Sequence, residues 1–196
     1  VPILVIGLAS VVAGITYTGG PLPYGYRGLG DLLVFVFFGL VAVVGTYYVQ
    51  AVGYVADPFP LWIPAGTVPL AALVAGLPAA GLSTAILIVN NGRDRETDAA
   101  SDKQTLAVLL GYRASRIEWS AMVGMAYVVP VVFWLDGYHG AVLAPLVTAP
   151  LALRVGATVW TRTDGEALNP ALERTGQLLF AHSVLFAAGL AVPTLV

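Results

Sequence analysis

Six long apolar runs, separated by short segments rich in glycine, proline and charge, make up almost the whole sequence. They are Val1–Tyr17, Leu32–Val52, Leu61–Val89, Ile117–Leu135, Gly140–Trp160 and Gln177–Val196. A hydrocarbon core about 30 Å thick is crossed by roughly 20 apolar residues in a helix, so each run is read as a transmembrane helix. Backbone groups in lipid must bond internally, which favours helices over open strands. The two-residue alternation of barrel strands is absent. The third run is the longest and carries Pro64, Pro69 and Pro78, so it is expected to tilt, kink or begin with an interfacial stretch. The predicted fold is an all-α membrane protein with six transmembrane helices in a single domain over residues 1–196.

The basic residues fall unevenly between the runs. The first connection holds Arg27, the third Arg93, Arg95, Lys103, Arg113 and Arg116, and the fifth Arg162 and Arg174. The second and fourth hold none, and Arg154 lies within the fifth run. Positive residues stay on the cytoplasmic side. Connections one, three and five are therefore expected in the cytoplasm, with Val1 on the outer side. Trp62, Trp119, Trp134 and Trp160 lie near run ends, where an aromatic belt is expected.

Composition strengthens the membrane reading. The chain is 58% hydrophobic and only 10% charged, against about 25% charged in a soluble domain. With no cysteine, disulfides, thiolate metal sites and a cysteine nucleophile are excluded. The first residue is not Met, and no basic segment precedes the first apolar run, unlike a secretory signal. The expectation is a C-terminal piece of a longer protein. With Val1 on the outer side, a full-length protein that begins in the cytoplasm would need an odd number of earlier helices.

The charge is concentrated in one connection, VNNGRDRETDAASDKQTLAV, from Val89 to Val108. In a helix, Asp94 and Asp98 would share one face, about 5–6 Å apart at Cβ, and Asp102 would continue the stripe. Like charges at that spacing repel unless a cation joins them. Carboxylates suit Mg²⁺, which takes one or two of them together with phosphates and water. Arg93, Arg95 and Lys103 beside the acids suit the remaining phosphate oxygens. A metal-bridged phosphate site and a solvated connector with internally paired charges both fit the local pattern.

NNGRDRETDAASDKQTLAV resembles the second aspartate-rich motif of the UbiA superfamily of intramembrane prenyltransferases. The form is that of its dihydroxynaphthoate prenyltransferases, N-N-x-R-D-x-x-x-D-x-x-x-G-K-x-T-L-A. Asn90, Asn91, Arg93, Asp94, Asp98, Lys103, Thr105, Leu106 and Ala107 match, and Asp102 stands where that pattern has glycine. A second stretch, YTGGPLPYGYRGLGDLLVFVFFG from Tyr17 to Gly39, resembles the family's Y-x-G-G-P, G-L-G-[DE] and V-F-x-F-F-G elements. The resemblance implies nine helices, of which this chain would hold the last six and lack the first three. The family's first aspartate-rich motif is absent, since Asp31 and Asp57 stand in no such context.

The same resemblance implies Mg²⁺-dependent transfer of a polyprenyl group from its diphosphate to 1,4-dihydroxy-2-naphthoate, with loss of the carboxylate. Asp94 and Asp98 would hold Mg²⁺ and, with Lys103, act in catalysis. Arg93 and Lys103 would contact the diphosphate. Asn90 and Asn91 would orient these groups or the acceptor, and Tyr24 and Arg27 would reach the diphosphate or cap the cavity. The partners are then the two substrates and the bilayer, with no nucleic acid. Alternatives are another acceptor, such as 4-hydroxybenzoate or an archaeal glycerol-phosphate lipid, or a non-catalytic scaffold or transporter. A transporter should show internal repeats, and none is evident. His182 is expected to be a core residue rather than a ligand, and Arg154 to snorkel.

Overall fold

A computed structural model describes residues 1–20, 23–55 and 60–193. Asp57, part of the first glycine-rich connection and the end of the sixth run lie outside the described residues.

The described residues are helical throughout, joined by turns and a single isolated bridge between Arg27 and Gln104. Helix α1 is Pro2–Thr18, with Pro2 at the first turn, where a missing N–H costs nothing. A short 3₁₀ turn, Tyr24–Tyr26, leads into α2, Gly30–Val55. Helix α3 is Leu70–Arg93 and α4 the short Arg95–Ala100. Helix α5 is Leu106–Leu135, α6 is Gly140–Thr161, and α7 is Gly165–Leu190.

The six long helices follow the six apolar runs in order, but four are long and apolar enough to cross a membrane: α2, α3, α5 and α6. Helix α1, at 17 residues, is short for a span, and the first half of α7 carries Glu166, Glu173 and Arg174.

Boundaries move where local chemistry outweighs hydropathy. The third run loses its first nine residues, because Pro64 and Pro69 precede the helix and Pro69 becomes its N-cap. Proline disfavours helical geometry in the residue before it. The fourth run gains eleven residues, since the Thr105 hydroxyl caps α5 by accepting from the Val108 amide. The sixth begins twelve residues early, where Asp164 caps α7 through the Ala167 amide.

Helix α3 lies at the centre and packs against α2, α5 and α7. Its small residues allow this. Gly39, in a π-helical stretch of α2 (Phe35–Val41), leaves no room for a β-carbon against Ala80. A β-carbon on Gly81 would meet the Met122 carbonyl oxygen at 2.6 Å. Close backbone approach improves the van der Waals packing that helps drive helix association in lipid. Leu82, Ala85, Val123, Val155 and Leu178 fill the core around it. Trp119 corrects the aromatic-belt expectation: it is 4% exposed and packs in this core, whereas Trp62, Trp134 and Trp160 are exposed. His182 is buried edge-on to Tyr127, and Arg154 is exposed.

Candidate functional site

The charged connection folds back on itself at the C-terminal end of α3. Asp94 occupies the one-residue break between α3 and α4, with φ −92° and ψ 6°. Its amide donates to the Asn90 carbonyl at 3.0 Å, and the Asp98 amide donates to the Asp94 carbonyl at 2.7 Å. The four-residue relation between the two aspartates therefore holds. The expected stripe stops there. Asp102 lies beyond α4 with φ 58°, a left-handed conformation that favours glycine. That reversal, at the position where the motif has glycine, turns the chain so that Lys103 lies over Asp98.

Each aspartate is met by its own cation. Lys103 Nζ is 3.1 Å from both Asp98 carboxylate oxygens, and the Asp98 side chain is only 11% exposed. Arg93 grips Asp94 twice, Nε to Oδ1 at 2.7 Å and Nη2 to Oδ2 at 2.6 Å. The same guanidinium donates to Asn90 Oδ1 at 2.9 Å and to Asn169 Oδ1 of α7 at 3.0 Å. This planar fork holds the Asp94 carboxyl below the usual carboxylate range.

The structure sorts the remaining candidates. Asn91 is buried, outside this network. Arg95 turns away from the acids, donating to the Ala107 carbonyl and to Glu96 and lying over the Tyr112 ring. The glycine-rich connection docks alongside, since the Gln104 amide donates to the Tyr26 carbonyl at 3.0 Å. Lys103 Nζ lies 6.0 Å from the Tyr26 ring centre. Tyr24 and Arg27 share that connection, but neither side chain touches the two aspartates among the described residues. Asn169 was not anticipated, because no local pattern links it to Arg93 across 76 residues.

Below the charges lies an apolar cavity of about 370 Å³. Val34, Phe38, Leu87, Leu172 and Leu179 line it, with Asn90 among them. Asn90 thus belongs both to the ion-paired cluster and to an apolar chamber, the usual makeup of a small-molecule site.

The oxygen donors here are hard: two carboxylates and the Asn90 amide. Among the described residues no three acidic or histidine side chains converge on one point, so a complete protein cage is not formed. Mg²⁺ uses few protein ligands and keeps water and phosphate oxygens, and this donor set fits that pattern.

Residues 1–191 match the UbiA prenyltransferase family. The chain belongs to this family. It is 38% identical over 189 residues to a 1,4-dihydroxy-2-naphthoate octaprenyltransferase of Mycobacterium tuberculosis, covering 96% of this chain and 59% of the relative. It is 37% identical over 190 residues to the protein of that name in Escherichia coli, covering 95% and 56%. A human UbiA prenyltransferase domain-containing protein 1 is 29% identical over 176 residues, covering 89% and 46%. The chain therefore spans less than two thirds of each of these relatives.

Proposed function

We propose that this chain carries the diphosphate-binding half of a prenyltransferase that moves a polyprenyl group from its diphosphate to 1,4-dihydroxy-2-naphthoate, with loss of the carboxylate. The observation that carries the reading is the ion-paired cluster Arg93–Asp94 and Lys103–Asp98, opening through Asn90 onto an apolar cavity. Relatives named for that reaction support the acceptor. The reading includes a nine-helix enzyme of which these are the last six, multi-pass in the cell membrane, with the charged connections cytoplasmic.

Asp94 and Asp98 would hold Mg²⁺. Bound there, the ion supplies Lewis-acid neutralisation of the diphosphate oxygens. Arg93 pairs with Asp94 and Lys103 with Asp98, so their remaining donors would bind diphosphate oxygens and stabilise charge on the leaving group. Asn90 and Asn169 hold the Arg93 fork in one orientation, and orientation is itself a rate term. The apolar walls keep water from the allylic cation.

The test is an assay of the full-length protein in detergent or vesicles. Polyprenyl diphosphate, Mg²⁺ and dihydroxynaphthoate should yield a prenylated, decarboxylated product by mass. Preferential transfer to 4-hydroxybenzoate would overturn the acceptor, and no transfer to any acceptor would overturn the reaction class.

A further inference from the structure

The Tyr17 ring at the end of α1 is clamped between two glycines. A β-carbon at Gly25 would lie 2.9 Å from Tyr17 Cε1, and one at Gly30 would lie 3.1 Å from the Tyr17 hydroxyl oxygen. A side chain at Gly25 would force the ring aside, and one at Gly30 would press on its hydroxyl. Beside Gly30 comes Asp31, 4% exposed in the first turn of α2. Its Oδ1 is sealed from the surface and accepts no hydrogen bond among the described residues. Buried carboxyl oxygens are almost always bonded, and an ionisable residue at the edge of a membrane helix points to a functional site.

Two further facts give the pair a direction. Tyr17 packs on Gly25, and the next residue, Tyr26, accepts from the Gln104 amide at 3.0 Å and has its ring centre 6.0 Å from Lys103 Nζ, so the phenol is held near the ion-paired cluster and, through Gly30, near Asp31. Tyr17 also lines a second apolar cavity, of about 630 Å³, with Ser10, Leu33, Val34, Phe37 and Phe38. A flat hydroxylated aromatic ring fits a chamber whose walls are apolar except for a fixed phenol and the Ser10 hydroxyl.

We infer that Tyr17 and Asp31 form the acceptor-recognition site. On acceptor binding, the acceptor's hydroxyl donates to the Tyr17 oxygen, and the Tyr17 O–H turns to donate to Asp31 Oδ1, which has no donor among the described residues. Asp31 is the positioning residue, and its negative end raises electron density on the acceptor ring. The docking of Tyr26 beside Lys103 keeps that ring near the diphosphate. This rests on the prenyl-transfer reading above.

The test again uses the full-length enzyme. Tyr17→Phe and Asp31→Leu should each raise the acceptor KM about tenfold or more, on the scale of one buried hydrogen bond, with the polyprenyl diphosphate KM unchanged. The double variant should be no worse than the single ones, since the two act as one unit. Asp94→Asn should show the opposite split. An acceptor with the hydroxyl methylated should bind wild type weakly and lose nothing further in Tyr17→Phe. The Tm of Asp31→Leu should hold or rise, because an unpartnered carboxyl is removed. Normal acceptor KM in both variants, with wild type active, overturns this inference and leaves prenyl transfer standing. A lowered Tm with both KM values raised assigns the pair to folding and also overturns it. A wild type that neither binds nor prenylates any hydroxylated aromatic overturns the prenyl-transfer reading and this one with it.

Discussion

Arg93 and Asp94 are neighbours in sequence, yet their side chains meet through two parallel hydrogen bonds of 2.7 and 2.6 Å. Adjacent residues within a helix do not face each other. The contact exists because Asp94 falls in the break between α3 and α4, which swings its carboxylate back onto the guanidinium. Lysine cannot make this fork. Arg93→Lys is expected to keep the charge but lose the contacts to Asn90 and Asn169. In the full-length enzyme, kcat/KM for polyprenyl diphosphate should fall about 10- to 100-fold, the scale for one charge-assisted pair. Near-normal kinetics would show that positive charge alone suffices there.

Asp94→Asn and Asp98→Asn each preserve shape and remove one charge. Each should lower prenyl transfer by more than about 10²-fold, as for removal of one preorganised charge-stabilising group, and raised Mg²⁺ should partly restore the milder variant. Glu96 is the control. Its side chain is 76% exposed and pairs with Arg95, away from the cluster, so Glu96→Gln should be mild. Equal damage from Glu96→Gln across a Mg²⁺ titration would reduce the connection to a charged surface loop.

Asp102 illustrates what a sequence shows and what it hides. Its departure from the motif's glycine marks a backbone position that the structure places at φ 58°. The acidic stripe read from spacing omitted this turn, since a four-residue period assumes an unbroken helix. Asp102→Asn should therefore retain activity. Asp102→Val should lower stability by about 1–2 kcal/mol, the cost of a left-handed residue with a β-branched side chain. Thermal melts of the two variants separate backbone from charge. A large activity loss in Asp102→Asn would return this residue to the site.

Much of the architecture is legible because lipid imposes a strong rule: apolar runs become helices. The run order follows from it and the four-residue relation of Asp94 and Asp98 from local spacing, whereas Asn90, Arg93 and Lys103 are singled out by the family resemblance. Helix ends moved where single capping groups, the Thr105 hydroxyl and the Asp164 carboxylate, act. Asn169 and the Tyr17–Asp31 juxtaposition depend on which helices become neighbours. No periodicity encodes that, although the glycines at 25 and 30 that admit the Tyr17 ring were visible as a glycine-rich connection.

The Arg93 fork also sets a pH dependence. A carboxyl held below its ordinary value contributes stability that is fully present above the unfolded value, about 3.9 for Asp. That contribution is lost as pH falls through the lower folded value. Asp94 should therefore leave stability flat from pH 5 to 8 and reduce it only below about pH 4. Arg93→Ala removes the largest cause of the shift, so the variant should lack this contribution at neutral pH and show a shallower acid limb than wild type. Melts between pH 3 and 8 check both. Identical acid limbs for wild type and Arg93→Ala would show that the fork does not hold Asp94 ionised.

The sidedness of the connections can be tested directly, because the chain has no cysteine and any introduced thiol is unique in it. Gly92 is a poor reporter, being buried at the end of α3, and Gly137 has φ 96°, which strains any larger residue. Ala100 and Asp136 are both exposed and lie in connections of opposite expected side. If the eight connecting Lys and Arg residues keep their loops in the cytoplasm, Ala100→Cys should resist an impermeant thiol reagent on intact cells and react after lysis. Asp136→Cys should react in both. The reverse pattern would place the aspartate cluster on the outer face, away from a cytoplasmic supply of water-soluble acceptor, and would invert the proposed topology.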